Sequence, residues 1–203
     1  MKNIFLHLVA ILFVTSVFSQ NGKVLESLKF ESELLDYPVE YSIYLPPDYD
    51  YSQRNYPVLY LLHGYSDDET GWIQFGEANS IADRGIENDD FPPCIIVMPD
   101  GKVTWYVNSH DGQDPWADMF VQEFIPFIEK KYNIRSKKEF RAIAGLSMGG
   151  YGALSLAMRN PELFSSCVAM SSGTFTDEEI LANDRYDRYF GNIYGSHSED
   201  EAS

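Results

Sequence analysis

The stretch that decides the fold is Arg141-Ala-Ile-Ala-Gly-Leu-Ser-Met-Gly-Gly-Tyr-Gly-Ala-Leu154. Its first four residues form a short, largely apolar run bounded by glycine, which is typical of a buried strand in a parallel sheet. Small and apolar residues then continue to Arg159, which predicts a helix that packs closely on the sheet and ends before Asn160-Pro161. Between strand and helix, Gly145-Leu-Ser-Met-Gly149 fits the pattern G-x-S-x-G, so a serine occupies a sharp turn.

The two glycines of this pattern have a steric reason. A serine on such a turn has strained backbone geometry, and a Cβ two residues to either side would clash. The turn lifts the Ser147 hydroxyl above the sheet and directs the N-terminus of the following helix toward it. Because a helix N-terminus carries partial positive charge, it can stabilise an oxyanion there. The alternative is a glycine-rich turn without catalytic meaning, and the flanking strand and helix argue against it.

The remaining chain alternates predicted strands and helices in one domain, with no repeats or linkers. Segments 23–35 and 39–45 alternate apolar and polar residues, which predicts two antiparallel strands at a sheet edge. Three nearly continuous apolar runs predict buried central strands, at 56–62, 91–98 and 165–170. The sequence therefore predicts an α/β fold with a mostly parallel sheet.

Two further helices are predicted outside the serine turn. The first covers 71–84 and has an apolar face made of Trp72, Phe75 and Ala78. The second covers 114–132, with Asp114 as its N-cap and a kink at Pro126.

A long loop, 102–113, contains Trp105 and Tyr106 and precedes the second of these helices. It is expected at the carboxyl end of the parallel strands, where ligands bind in such sheets. The loop either lines a substrate cleft or packs as a surface loop, and the sequence favours neither. The aromatic content of 15% leaves a similar choice between an aromatic core and a sugar- or aryl-binding cleft.

Composition and the N-terminus indicate an exported globular protein. The 203 residues are enough for one domain with a sizeable core, and the formal net charge of −16 opposes binding to nucleic acid or anionic membranes. Residues 1–19 combine an early lysine, an apolar run and small residues before a cleavage position, as secretory signal peptides do. An uncleaved anchor is the alternative, but the apolar run is short for a membrane span. We expect a secreted or periplasmic domain over 20–203, without membrane attachment after cleavage.

The two cysteines and the lack of metal-binding motifs indicate the redox state and the cofactor content that we expect. Cys94 and Cys167 both lie in apolar, strand-like runs, which favours buried free thiols, although a disulfide formed after export stays open. The sequence contains neither a C-x-x-C nor an H-E-x-x-H pattern. We therefore expect no metal and no cofactor.

Four motifs in a fixed order resemble the putative esterase family, which includes bacterial feruloyl and acetylxylan esterases, tributyrin esterases, S-formylglutathione hydrolase and secreted mycolyltransferases. The motifs are Tyr60-Leu-Leu-His-Gly-Tyr65 with Trp72, Ile96-Val-Met-Pro-Asp-Gly101, Phe124-Ile-Pro-Phe-Ile-Glu129 and Arg141-Ala-Ile-Ala-Gly-Leu-Ser-Met-Gly-Gly150. The resemblance extends over about 23–190. It implies an α/β-hydrolase fold, a mostly parallel central sheet with helices on both faces, whose C-terminal strands are missing from this sequence.

The resemblance also implies a catalytic site. Ser147 would be the nucleophile of a Ser-His-Asp/Glu triad, on the turn known as the nucleophile elbow. The backbone N–H groups of Tyr65 and Met148 would form the oxyanion hole. His63 would structure its loop in this arrangement; a role as the catalytic base is the less favoured alternative.

The chain departs from the family pattern after Ser147. Family members place the acid and then the histidine behind two further strands, whereas only His197 follows the serine here, with Asp184 and Asp187 before it. We expect the catalytic acid and histidine to lie beyond residue 203. The sequence as given is then an incomplete domain that is inactive by itself, and His197 as the base is the alternative.

The functional expectation is a secreted serine carboxylic-ester hydrolase that acts through an acyl-enzyme. Feruloyl or acetyl groups on plant polysaccharide are the favoured substrates. One alternative is an acyltransferase in which a sugar hydroxyl replaces water. The other is a carbohydrate-binding protein that has the hydrolase fold but no catalysis.

Overall fold

A computed structural model describes residues 21–176, 178–179, 182 and 186–195 of the chain. The expected signal peptide at 1–19 lies outside these residues, as do Asp184 and His197. Within the described ranges, strands and helices alternate along the chain, as the sequence predicts for an α/β protein.

Six strands form a single sheet. They are β1 Lys23–Phe30, β2 Val39–Leu45, β3 Val58–Leu62, β4 Ile95–Pro99, β5 Arg141–Leu146 and β6 Ser166–Met170. Their spatial order is β1-β2-β4-β3-β5-β6. The β1–β2 and β2–β4 pairs are antiparallel, whereas β3–β4, β3–β5 and β5–β6 are parallel. The mostly parallel sheet with an antiparallel edge is therefore confirmed.

Helices lie between the strands and, in the described ranges, also after β6. They are α1 Gly71–Gln74, α2 Ala78–Glu87, α3 Trp116–Met119, α4 Ile125–Lys131, α5 Met148–Arg159, α6 Tyr186–Tyr189 and α7 Gly191–Tyr194. A π-helical turn at Phe120–Phe124 joins α3 to α4, and a short 3₁₀ turn at Lys138–Phe140 precedes β5.

The central strands separate two apolar cores. Successive side chains of a strand point to opposite faces of the sheet, so Tyr60 and Ile143 face one core while Leu61 and Ala144 face the other. The larger core includes residues of α3, α4 and α5, and the smaller one includes residues of α1 and α2. Helices thus cover both faces of the sheet, as the resemblance implied.

The helix predicted over 71–84 is wrong in its continuity. Glu77 has a left-handed backbone, with φ of 49°, and separates α1 from α2. Phe75, expected on the buried face, has 82% of its side chain exposed. Trp72 does face inward, and its indole N–H donates to the Leu62 carbonyl at 3.1 Å.

The helical segment 114–132 begins differently from the prediction, and a π turn interrupts it. The Asp114 carboxylate caps no helix; it accepts a hydrogen bond from the Tyr37 hydroxyl at 2.9 Å. The π turn ends two residues before Pro126, where the sequence predicts a kink. In a regular helix the ring of Pro126 would collide with the carbonyl of Gln122, four residues earlier. Gln122 lies in the π turn, which is wider than a regular helix.

Strand β6 is an edge strand in the described sheet; its apolar run alone predicted burial, whereas the expectation of missing C-terminal strands predicted this bare apolar edge. Cys167 is exposed, and 55% of the Val168 side chain is accessible. The expected burial of the Cys167 thiol is therefore wrong, whereas Cys94 is partly buried. Both thiols are free, and burial raises the pKa of Cys94 to about 11.

Candidate active site

Ser147 occupies the turn between β5 and α5 in a strained conformation, with φ of 55° and ψ of −115°. Its backbone N–H donates to the Met170 carbonyl at 2.9 Å. Its own carbonyl accepts hydrogen bonds from the N–H groups of Tyr151 and Gly173, each at 3.0 Å. The backbone of the serine is thus fixed on two sides, while the side chain is exposed.

The glycines around Ser147 are required by close backbone packing. A Cβ on Gly145 would collide with the backbone of Gly149. A Cβ on Gly149 would collide with the Leu62 carbonyl and lie 2.6 Å from the His63 carbonyl oxygen. The steric reason inferred from the G-x-S-x-G pattern is confirmed. For Gly149, the backbone that an added Cβ would strike is the end of β3.

The residues predicted to form an oxyanion hole lie beside this turn. Met148 is the first residue of α5, and the segment Gly64-Tyr65 follows β3. A Cβ built on Gly64 would lie 3.9 Å from the Ser147 Cβ, so the loop after β3 contacts the serine turn. Neither the Tyr65 nor the Met148 backbone N–H donates a hydrogen bond within the described part of the chain.

His63 has a structural role in the loop after β3, as expected. The buried ring accepts a hydrogen bond at Nε2 from the Gly101 N–H, at 2.9 Å. The ring proton is therefore on Nδ1, which donates to the Gly64 carbonyl at 2.7 Å. Asp100 Oδ1 lies 3.3 Å from the same Nε2, but a nitrogen that accepts from Gly101 cannot also donate to a carboxylate. Both ring nitrogens are occupied, so His63 cannot serve as the catalytic base.

Two aromatic residues of the loop 102–113 are buried. Trp105 and Tyr106 have left-handed backbones, with φ of 56° and 61°, and their side chains are 6% and 0% exposed. The Tyr106 hydroxyl donates to the His63 carbonyl at 3.0 Å. Of the two roles left open for this loop, packing is therefore the one observed at Tyr106.

Trp105 is the centre of an aromatic cluster next to the serine turn. Its ring lies 5.6 Å from Tyr151, 6.3 Å from Tyr65 and 5.1 Å from Phe190, measured between ring centres. The indole N–H donates to the Tyr189 carbonyl at 3.0 Å, which ties α6 to the loop. The cluster places large apolar rings beside Tyr65, one of the two predicted oxyanion donors.

A buried contact of the loop after β3 has no signal in the sequence. Glu69 is 5% exposed, and its Oε1 accepts a hydrogen bond from the Ser27 hydroxyl at 2.7 Å. Ser27 lies at an irregularity in the β1–β2 pairing and has φ of 52°. No residue pattern predicts such an irregularity in strand pairing, so this contact could be found only in the structure.

Comparison with known proteins identifies the family. The model of the putative esterase family matches residues 32–192, which is most of the chain. The chain belongs to the putative esterase family.

Relatives of this esterase-family chain include enzymes named feruloyl esterase and acetyl esterase. An endo-1,4-beta-xylanase/feruloyl esterase of Xylanibacter ruminicola is 36% identical over 146 residues, which are 68% of this chain and 20% of that protein. An acetyl esterase of Caldicellulosiruptor saccharolyticus is 29% identical over 61% of this chain and 44% of its own length. The solved structure of a ferulic acid esterase superposes with a TM-score of 0.76 and 29% identity, covering 86% of this chain and 67% of that one.

These matches confirm the α/β-hydrolase fold and the family, over part of each relative. The chain spans less than half the length of these two curated relatives. Within the described ranges, no residue hydrogen-bonds to the Ser147 hydroxyl, and no three histidine, cysteine, aspartate or glutamate side chains converge as metal ligands would. In the same residues no helix has the length and the apolar character that a membrane span requires.

Proposed function

We propose that this esterase-family chain carries the nucleophile and the oxyanion hole of a secreted serine carboxylic-ester hydrolase. One observation carries the proposal: an exposed serine in a strained turn beside two backbone amides that have no acceptor in the described structure. A free amide at such a place is ready to donate to a developing negative charge, and that charge is the main obstacle in acyl transfer.

The proposed reaction proceeds through an acyl-enzyme. The Ser147 Oγ attacks the ester carbonyl carbon and gives its proton to a base, while the carbonyl π electrons move to the oxygen. The N–H groups of Tyr65 and Met148 donate to this oxyanion. The electrons then return, the bond to the alcohol oxygen breaks, and the alcohol leaves with the proton. Water repeats the attack on the acyl-serine, which releases the carboxylic acid and restores the serine.

The base in this proposal comes from outside the described residues. His63 is excluded because both of its ring nitrogens are bonded to backbone groups. A histidine paired with an acid is the expected base, and its identity stays a prediction, with His197 as one candidate. Losing the base costs about as much as losing the nucleophile, because the two act as a unit.

Feruloyl or acetyl groups of plant polysaccharides are the proposed substrates. Two relatives are named for feruloyl and acetyl ester hydrolysis, which supports this substrate class. Tyr65 and Tyr151, the half-buried rings that pack on Trp105, support an aromatic acyl group, since aromatic rings pack favourably edge-on or offset-stacked against one another. The predicted signal peptide supports it too, because a secreted enzyme can meet a polysaccharide outside the cell.

A hydrolysis assay with matched serine variants tests the proposal. The intact gene product should release p-nitrophenol from p-nitrophenyl acetate and ferulate from methyl ferulate. Ser147→Ala should lower kcat by about 10⁶-fold while the fold stays intact, because only the nucleophile is lost. Ser155→Ala, on the same helix α5, is the control and should keep its activity. Hydrolysis of neither ester by the intact protein would refute the proposal, as would a fully active Ser147→Ala variant.

A further inference from the structure

The peptide unit that carries the Tyr65 N–H is held by the ring of His63. The Nδ1–H of His63 donates to the Gly64 carbonyl at 2.7 Å, and this carbonyl belongs to the same peptide unit as the Tyr65 N–H. Because a trans peptide is planar, fixing the direction of its C=O also fixes the opposite direction of its N–H. The orientation of the Tyr65 amide therefore depends on the position of His63.

The backbone of His63 is in turn held between two groups. Its carbonyl oxygen accepts the hydrogen bond from the Tyr106 hydroxyl at 3.0 Å. On another side it lies against Gly149 of the serine turn, where an added Cβ would come within 2.6 Å of the same oxygen. Tyr106 thus connects the loop 102–113 to the His63 carbonyl. This carbonyl lies between the end of β3 and the Gly64-Tyr65 segment.

The hydroxyl of Tyr106 has a fixed position because the residue is enclosed. Its ring is fully buried, and a Cβ on either Gly101 or Gly152 would collide with it. The Thr104 hydroxyl accepts the Tyr106 N–H at 3.2 Å and donates to the Gly101 carbonyl at 2.7 Å. A left-handed conformation of a large residue persists only where the surroundings over-determine it.

Burial also keeps the hydroxyl in its donating form. Removal from water raises the pKa of Tyr106 well above its usual value. The hydroxyl therefore stays protonated at any pH at which an esterase is assayed, and the hydrogen bond to His63 persists.

We propose that Tyr106 is a positioning residue of the oxyanion hole, which fixes the Tyr65 N–H relative to Ser147 through the backbone and ring of His63. The inference rests on the proposed function, since it assigns Tyr65 as an oxyanion donor. Tyr106 does not touch the substrate in this account. Its removal weakens the oxyanion interaction, which exists only in the transition state, and leaves substrate binding unchanged.

The test compares Tyr106→Phe with Tyr44→Phe in the intact gene product. Tyr44 is an equally buried tyrosine, whose hydroxyl donates one hydrogen bond to Asp83 at 2.7 Å on the other side of the sheet. Complete reaction with a fluorophosphonate counts the competent Ser147 sites, and kcat is expressed per labelled site. Tyr106→Phe should lower this kcat by about 10- to 100-fold with KM within about twofold, and Tyr44→Phe should change neither.

Three results would overturn the inference. They are an unchanged kcat per labelled site, a rise in KM with constant kcat, and a loss of labelled sites in proportion to activity. If Tyr106→Phe does not fold, Thr104→Val removes the hydroxyl that holds the Tyr106 turn, and it must give the same selective loss of kcat. A wild-type protein that neither hydrolyses esters nor labels at Ser147 would instead refute the proposed function.

Discussion

At the scale of single residues, features around Ser147 that depend on local backbone geometry could be predicted from the sequence, and features that depend on distant contacts could not. The G-x-S-x-G pattern predicts that Ser147 lies on a sharp turn, because a serine in such a turn needs glycine two residues to either side. In the structure a Cβ on either glycine would collide with backbone atoms. The structural role of His63 followed from its place after β3. The buried Glu69 contact could not be predicted, because it depends on which distant segment lies alongside.

Cys94 gives a pH-dependent prediction at this scale. Burial raises the pKa of the Cys94 thiol to about 11, so the reactive thiolate is a minor form at pH 8. Below that pKa, the thiolate fraction rises about tenfold for each pH unit. Alkylation of Cys94 by iodoacetamide, followed by mass spectrometry of its peptide, should therefore be slow at pH 8 and about 100-fold faster at pH 10.

The control for this measurement is Cys94→Ser, which should abolish the pH-dependent product. A rate of Cys94 alkylation that is fast at pH 8 and flat up to pH 10 would contradict the burial of this thiol.

At the scale of elements, the sequence predicts the type of segment better than its continuity. All six strands and both main helical segments lie where the apolar patterns place them. The break between α1 and α2 depends on a left-handed Glu77, a conformation that the residue type does not favour. A continuous apolar run does not show whether a strand is central or, like β6, at an edge. Burial of its residues depends on which neighbouring elements cover them.

The contact between helix α5 and strand β3 leads to a prediction for Gly149→Val. The valine side chain would enter the space of the Leu62 and His63 carbonyls, which are backbone atoms and cannot rotate away. We expect the free energy of unfolding to fall by about 2–3 kcal/mol, as for other overpacked sites, together with loss of esterase activity. Urea unfolding followed by circular dichroism measures the change.

Ser155→Val is the matched control for this variant, because it introduces valine into the same helix and carries only its small helix-propensity cost. An unfolding free energy of Gly149→Val equal to that of Ser155→Val would show that α5 and β3 do not pack as described.

At the scale of the whole molecule, the order of motifs predicted both the family and the sheet. The strand order β1-β2-β4-β3-β5-β6 brings the ends of β3, β4 and β5 side by side. The loops after these strands supply Tyr65, the buried Tyr106 and Ser147. Residues that are far apart in sequence therefore converge at one edge. Within the described residues nothing hydrogen-bonds to the Ser147 hydroxyl, so the identity and position of the base stay a prediction.

The central claim is that Ser147 is a nucleophile activated within this fold. Its most direct test is labelling of the intact gene product with a fluorophosphonate, followed by digestion and mass spectrometry. Labelling should give one covalent adduct, on the Ser147 hydroxyl, that is absent in Ser147→Ala and present in Ser155→Ala. Failure of Ser147 to label, or an adduct on another serine with Ser147 unmodified, would contradict it.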